Sequence, residues 1–245
     1  MPRPSIGQPL YSKVSVNMTD SAQFTKEVFE LLRQLKRHNN REWFARNKAR
    51  YEQVARSPAL LFMAAVTPRL AKLSRTLPAN SLRGSVFRIY RDIRFSSDKR
   101  PYKTHLGMQW TYAKSKDVHA PCYYLHFEPD SCFVAAGVWH PDNVSLNRIR
   151  QAIVSNPQAW KKLRRGMELG GERLSRPPRG FDPAHPFIED LKCKDFVASV
   201  ELSERQVCNP KFMQDFVSAC RTLTPLLEFT GKALSPKAQG AEGAI

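Results

Sequence analysis

The chain has 245 residues, 42% of them hydrophobic, which is enough to bury one substantial core and favours one domain over two. Its formal net charge of +17 favours anionic partners such as nucleic acid or phosphorylated metabolites, although a scattered basic surface without a dedicated ligand gives the same charge. Five cysteines without CxxC spacing argue against a disulfide framework, and no apolar run reaches the roughly 20 residues that cross a bilayer. We therefore expect a cytoplasmic protein with no membrane partner.

Helical patterns dominate the first third of the chain. Residues 1–20 show no period and are rich in proline, which predicts a disordered or loosely docked arm. From Phe24 onward, apolar residues recur at spacings of three and four, which predicts an amphipathic helix. A second helix is expected to begin at Arg41 with Asn40 as its N-cap, and a third follows Pro58.

Strand patterns fill the middle of the chain. Extended segments are predicted at 86–95, 102–110, 122–127 and 132–139, with one more at 197–202. The connections between the first four are short, so we expect mainly antiparallel pairing. Period-two alternation divides the third segment into two faces. One face carries Tyr123, Leu125 and Phe127, and the other carries Tyr124 and His126.

The last part of the chain returns to helical patterns. A basic run at 161–165 has a solvated helix face as its simplest interpretation, and residues 170–186 predict a long loop. A final helix follows Asn209 and Pro210, and residues 233–245 are expected to form a disordered tail. The whole pattern predicts a single α+β domain over residues 21–232, with helices at the N- and C-terminal ends packed on a central, mainly antiparallel sheet.

Charged and aromatic residues are densest in the segment 86–107. Read as a strand, its first half places Arg91 on the same face as Phe87, Ile89, Ile93 and Phe95. A guanidinium on an apolar face is costly unless it is paired. Asp92 points to the other face, so Arg91 needs a carboxylate elsewhere, a bulge that redirects it, or a ligand.

This segment also provides the candidate binding residues. Seven basic and two acidic residues lie between Arg83 and His105, so local pairing cannot neutralise every cation. The excess favours an anionic small molecule, such as a nucleotide or a sugar phosphate, over a purely structural network of charges. The candidate ligand-binding residues are Asn40, Trp43, Arg88, Arg91, Arg94, Lys99 and Lys103. The candidate acid, base or orienting residues are Asp92, Asp98, Tyr102 and His105.

Known catalytic signatures are absent from the sequence. It contains no GxGxxG, Walker A, GxSxG or HExxH motif, and we expect no cofactor. The six histidines are dispersed, without a helical pair at spacing four. A metal site among His105, His126, His140 and His185 requires tertiary contact, and our expectation from the sequence is that the protein holds no metal.

Two long motifs and several short ones identify a family. The matching residues are Asn39–Phe44 with Asn47, Lys48 and Tyr51, then Phe87–Phe95, Asp98–Lys99 and Pro101–His105, and later Tyr123–Tyr124, Ala136–Gly137, Arg148–Arg150, Gly180–Phe181, His185–Pro186 and Leu191–Lys192. With these motifs the chain resembles, over roughly 24–229, the family called domain of unknown function 2461, found in bacteria and fungi. Arg100 stands where that family has a small polar residue before Pro101. The resemblance implies membership and carries over no catalytic assignment.

Three functions are open at this point. The first is binding of, or action on, a phosphorylated or other anionic small molecule, and a pocket gathering Arg88, Arg94, Tyr102 and Trp43 favours it. The second is association with nucleic acid, which a basic stripe reaching Arg165 favours. The third is a protein-interaction module without catalysis, with its arginines fully paired and an apolar patch exposed. The sequence does not distinguish an enzyme from a binding domain, and it does not determine the oligomeric state.

Overall fold

The computed structural model describes residues 24–75, 82–112 and 120–235. These residues form a single α+β domain around a five-stranded antiparallel sheet in the order β1-β2-β3-β4-β5, which confirms the predicted fold class. The predicted N-terminal arm, residues 1–20, lies outside the described residues, as does the predicted tail from residue 236 onward.

The predicted elements are present in the predicted order, but the first strand is displaced, the second begins at Leu106 instead of 102, and two short helices, Ile188–Leu191 and Glu204–Val207, were not predicted. The strands are β1 Arg83–Val86, β2 Leu106–Thr111, β3 Cys122–Glu128, β4 Ser131–Val138 and β5 Phe196–Leu202. The α-helices are α1 Lys26–Arg37, α2 Arg41–Tyr51, α3 Ser57–Leu70, α4 Asn143–Ser155, α5 Pro157–Arg164, α6 Ile188–Leu191, α7 Glu204–Val207 and α8 Phe212–Leu234. One π-helical turn, Glu52–Arg56, joins α2 to α3. Helix α8 continues two residues past the predicted domain boundary at 232.

One face of the sheet packs against α1, α3 and α8 and forms the core. Trp110 of β2 contacts the rings of Phe62 and Phe216, and Phe127 of β3 contacts Phe24. Tyr123 is fully buried on the same face, where its hydroxyl is 2.7 Å from the Thr224 hydroxyl. The predicted alternation in β3 is therefore confirmed, because its apolar set faces the core and the polar set faces away.

The predicted strand over 86–95 is wrong beyond its first residue. Regular pairing ends at Val86, and a single bridge, Tyr90 to Tyr102, prolongs the contact between the two segments. Beyond it, the Asp92 carboxylate accepts a hydrogen bond from the backbone N–H of Arg94, at 3.2 Å. Such local side-chain bonds compete with a strand ladder, so the charged residues form a loop. Phe95, predicted on the core face, is 94% exposed in that loop.

Helix α2 begins where its predicted capping residue places it. The Asn40 side chain accepts a hydrogen bond from the Trp43 backbone N–H at 2.9 Å, which confirms it as the N-cap of α2. In the ranges that the structure describes, no helix has the length and apolar character needed to cross a membrane.

Candidate functional site

The arginine loop, residues 91–100, pairs its three arginines with its own two aspartates. Arg91 Nη1 lies 2.7 Å from Asp98 Oδ2, and Arg100 Nη2 lies 2.7 Å from the same oxygen. Arg94 binds Asp92 through two hydrogen bonds of 3.0 and 2.7 Å. The partner that Arg91 requires is thus a carboxylate seven residues along the chain, and these three arginines are already paired within the protein.

The two aspartates of the loop are held in the ionised form. Hydrogen bonds from Arg100 and then Arg91 lower the pKa of Asp98 well below its usual range, and the Arg94 side chain lowers the pKa of Asp92. A carboxylate in this state accepts hydrogen bonds and holds no proton to donate at neutral pH. This geometry supports an orienting role for both residues.

Asp98→Asn is expected to loosen the arginine loop with little change in global stability. The neutral amide cannot hold both Arg91 and Arg100, and the residue lies on the surface. The backbone N–H of Arg91, bonded to Pro101 O at 2.9 Å, should exchange with deuterium at least about tenfold faster than in the wild type. Asp92→Asn, which frees only Arg94, is the matched control, and equal exchange in both variants would contradict the assignment.

The other predicted site residues of this segment have structural contacts. The Lys99 ammonium donates to the Ile93 carbonyl oxygen at 3.1 Å, and the Lys103 ammonium lies 5.0 Å above the Phe87 ring. The Tyr102 ring stacks on Phe44 with centroids 4.2 Å apart. Their roles in binding or proton transfer stay predictions.

Asn39, named above only as part of a family motif, clamps the segment to the first helical corner. Its amide nitrogen donates to the Tyr102 carbonyl oxygen at 2.9 Å, and its amide oxygen accepts from the Tyr102 N–H at 3.0 Å. This two-bond contact fixes the segment that follows Tyr90 against the end of α1.

A cleft opens between α2, the π-helical turn and the chain that follows β1. We call it the α2 cleft; its volume is about 380 Å³. It is lined by Phe44, Lys48, Tyr51, Glu52, Arg56, Val86, Phe87, Arg88, Ile89 and Tyr90. The helical residues share one face because positions three and four apart lie above one another. π-helical turns are rare and occur frequently at functional sites.

The charges of the α2 cleft are less completely paired than those of the arginine loop. Among the described residues, neither Lys48 nor Arg88 has a hydrogen-bonded or ion-paired carboxylate, whereas Arg56 lies 3.3 Å from Glu52. Three cations and one carboxylate therefore line the cleft, with the excess charge on side chains that are free to meet a ligand.

Tyr51 offers a neutral hydrogen-bond donor in the cleft. Its side chain is 3% exposed, and its hydroxyl has no hydrogen-bond partner among the residues that the structure describes. Burial raises the pKa of Tyr51 to about 12, so the phenol keeps its proton at neutral pH. The ring packs against Phe44 with centroids 5.6 Å apart, which gives the cleft an aromatic wall.

Arg88 is the one predicted ligand-binding residue that lines the cleft. The others lie elsewhere: Asn40, Trp43, Arg91, Arg94, Lys99 and Lys103. Sequence reasoning did not single out Lys48, Tyr51 and Arg56 as candidate binding residues, although they line the cleft. The available signal was the helical spacing of Phe44, Lys48 and Tyr51, which places these side chains on one face of α2.

A second cluster joins His105, His126 and Glu128 on the sheet face opposite the core. The β2–β3 register pairs Leu106 with Phe127, so His105 comes directly opposite Glu128. The two imidazole rings have centroids 4.5 Å apart, and His126 Nε2 lies 3.5 Å from Glu128 Oε2. The candidate ligand atoms of these three residues all lie within 4.8 Å of one another.

Burial disfavours the charged form of both histidines of this cluster. Burial, with added effects of His126 and Lys103, lowers the pKa of His105 to about 4. Burial also lowers the pKa of His126, which is 9% exposed. The contact between the His105 and His126 rings supplies the tertiary proximity that a histidine metal site requires. His140 lies instead near Asp195, and His185 near Phe187.

Comparison with known proteins identifies a family for most of the chain. The family model described as "Conserved hypothetical protein (DUF2461)" matches residues 27–229. This match confirms the resemblance inferred from the sequence motifs. No curated protein matches the chain.

Proposed function

The chain belongs to the DUF2461 family of conserved hypothetical proteins, and since that description names no activity, we propose from the geometry of the α2 cleft that the protein binds a small phosphorylated or carboxylated molecule there. The observation that carries this proposal is the contrast between arginines. Arg91 and Arg94 are paired with loop carboxylates, whereas Arg88 enters the cleft without one among the described residues.

The cleft residues match the requirements of an anionic group. The planar Arg88 guanidinium suits two parallel hydrogen bonds to phosphate or carboxylate oxygens, and Lys48 adds a point charge. Tyr51 contributes a neutral donor from the buried wall. The volume of about 380 Å³ falls within the range of small-molecule sites. The rings of Phe44 and Tyr90 provide apolar surface for the rest of the ligand.

A continuous nucleic-acid surface has less support. The cleft adjoins β1, whereas Trp160 of α5 packs on Phe196 of β5, at the other edge of the sheet. Four strand spacings separate these edges by about 19 Å. Arg164 of the basic run is paired with Asp190. These positions favour a compact ligand over a strand that runs from the cleft to α5.

Of the two features expected of a protein-interaction module, paired arginines in the loop and an exposed apolar patch, the protein has the first. Arg91 and Arg94 are paired within the protein, as such a module requires. The exposed large apolar side chains, however, are divided among α3, the segment around Tyr90 and Phe95, and the region from Trp139 to Val154. Single exposed apolar residues are normal on protein surfaces, so this distribution does not identify a docking patch.

The proposal is tested by thermal unfolding with defined anions. Inorganic phosphate, pyrophosphate, citrate, adenosine monophosphate and glucose 6-phosphate are each added to the wild type, Arg88→Ala and Arg94→Ala. A ligand present at 100 times its Kd stabilises the folded state by about 2.7 kcal/mol. Loss of the charged hydrogen bonds of Arg88 should weaken binding by about 10- to 100-fold. At the same ligand concentration the stabilisation of Arg88→Ala should therefore fall to between about 0.4 and 1.4 kcal/mol. The full stabilisation should persist in Arg94→Ala, whose side chain is paired outside the cleft.

Two outcomes would contradict the proposal. One is an equal thermal shift in Arg88→Ala and Arg94→Ala, which would place the bound anion outside the cleft. The other is a response to oligonucleotides alone that falls steeply between 50 and 200 mM salt, as counterion release requires of nucleic-acid binding. That second result would favour the basic surface as the functional feature.

A further inference from the structure

We propose that His105, His126 and Glu128 form a binding site for one divalent first-row transition-metal ion, such as Zn²⁺ or Fe²⁺. The proposed ligands are one imidazole nitrogen of His105, Nε2 of His126 and Oε2 of Glu128. The site lies on the sheet face opposite the core and does not depend on the function proposed for the α2 cleft. It reverses the expectation from the sequence that the protein holds no metal.

The distances in the cluster are close to those of a metal centre. Zinc–ligand bonds of about 2.0–2.2 Å place neighbouring ligand atoms about 3.0–3.5 Å apart in octahedral or tetrahedral geometry. The pair formed by His126 Nε2 and Glu128 Oε2 is already at 3.5 Å. All three ligand atoms lie within 4.8 Å of one another, so the ligand atom of His105 is within about 1–2 Å of the separation that a shared ion requires.

Two of the three ligands are oriented by partners on the side away from the shared space. The Tyr124 hydroxyl lies 2.9 Å from His126 Nδ1, and when Nδ1–H donates to this oxygen, the lone pair of Nε2 faces Glu128. Thr104 donates to Glu128 Oε1 at 2.8 Å, which leaves Oε2 for the ion. Metal-ligating histidines and carboxylates are held by such outer hydrogen bonds in most known sites.

The glycine opposite His126 makes room for this arrangement. Gly107 pairs with His126 in the β2–β3 register, and a Cβ at this position would lie 2.9 Å from the Tyr124 hydroxyl. A side chain at position 107 would therefore displace the Tyr124 hydroxyl, and glycine allows Tyr124 to keep this position. The phenol that orients His126 is placed by the backbone pattern of two strands.

The imidazole of His105 gives a second observation in favour of an ion, separate from the distances within the cluster. Its ring lies against His126, yet neither of its nitrogens makes a hydrogen bond or an ion pair with any residue that the structure describes. A purely structural network would connect this ring, as it connects His126 and Glu128. An ion placed between the three side chains supplies the partner that His105 lacks.

The types of ligand atom in the cluster favour one class of metal ion. Two imidazoles and one carboxylate suit borderline ions such as Zn²⁺ and Fe²⁺, whereas Mg²⁺ and Ca²⁺ prefer oxygen ligands alone. Three protein ligands leave at least one coordination position for water or another small ligand. The Lys36 ammonium lies 3.8 Å from Glu128 Oε1, the oxygen that faces away from His126, so it does not occupy the place of the ion.

The test is calorimetric titration of tag-free, chelator-treated protein with Zn²⁺, together with Co²⁺ titration followed by visible absorption. The wild type should bind one ion per chain. His105→Ala and Glu128→Gln should each weaken binding at least about tenfold, and Tyr124→Phe about 10-fold. His38→Ala is the matched control, because His38 is exposed and lies outside the cluster, and its affinity should equal that of the wild type.

Two results would overturn the proposal. The first is Zn²⁺ affinity in His105→Ala and Glu128→Gln equal to the wild type, with circular dichroism showing that the variants fold. The second is wild-type binding weaker than about 1 mM. Arg88→Ala distinguishes metal binding from anion binding in the α2 cleft, since it should weaken anion binding about 10- to 100-fold and keep the wild-type affinity for Zn²⁺.

Discussion

Gly137→Ala should destabilise the protein by about 4 kcal/mol, because the substitution meets both backbone strain and a clash. Gly137 lies in β4 with φ +131°, a conformation that side-chain-bearing residues rarely adopt. A Cβ there would lie 1.9 Å from the carbonyl oxygen of Phe196 in β5. That oxygen belongs to the backbone of the neighbouring strand, so the clash is relieved only if β4 and β5 move apart at this position. Urea unfolding monitored by circular dichroism measures the change.

Gly180→Ala is the matched control for this prediction. Gly180 also has a positive φ, +85°, but a Cβ there would have no atom within 4 Å. Its substitution therefore reports backbone strain alone, about 1 kcal/mol. Equal losses of stability in the two variants would show that the close approach of β4 and β5 is not what requires Gly137.

Asp190→Ala is expected to cost about 3–5 kcal/mol, the usual loss when one partner of a buried ion pair is removed. The Asp190 carboxylate accepts a hydrogen bond from Trp160 Nε1 at 2.7 Å and pairs with Arg164 Nε at 3.1 Å. It is 8% exposed, and Arg164 Nη1 is already buried without a hydrogen-bond partner among the described residues. Removal of Asp190 leaves the indole N–H and the guanidinium without an acceptor in the interior.

The double variant Asp190→Ala/Arg164→Met isolates the charge effect. Methionine removes the unpaired cation and keeps much of the side-chain volume, so part of the lost stability should return. Glu172→Ala breaks the exposed pair with Lys194 and should leave the midpoint of urea unfolding close to the wild type. No recovery in the double variant would contradict the role assigned to the Arg164 charge.

The α2 cleft and the histidine cluster share one neighbour. Phe87 lines the cleft, and its ring lies 5.7 Å from that of Tyr124, which orients His126. The segment after β1 thus contacts both candidate sites, one on each side. This position gives a structural reason for the density of charged and aromatic residues in the segment 86–107.

The sequence by itself determined the elements whose signals are local. Burial of one helix stripe follows from the spacing of Val28, Leu31 and Leu35, and the cap of α2 follows from the hydrogen-bonding side chain of Asn40. The short connection between β3 and β4 forces antiparallel pairing, and period-two alternation decides which side chains of β3 reach the core. These signals act over a few residues, so no knowledge of the fold is needed to interpret them.

The same local reasoning failed where charges compete with the backbone. An alternating pattern over 86–95 predicts a strand, but the aspartates at 92 and 98 bind nearby backbone N–H groups and form a loop. The excess of cations in the segment was visible in the sequence. Which of them are paired was not, because Asp98 holds two arginines and Asp92 holds one.

Only the tertiary structure decided which side chains meet. Lys48 and Arg88 are 40 positions apart and face one cleft because the corner between α1 and α2 is clamped to Tyr102. His105 reaches His126 through the register of β2 and β3. Because Leu106 pairs with Phe127 and Gly107 with His126, His105 comes next to the His126 side chain on the same face. Contacts of this kind depend on how elements pack and align over long separations, and that information is carried by no short stretch of the chain.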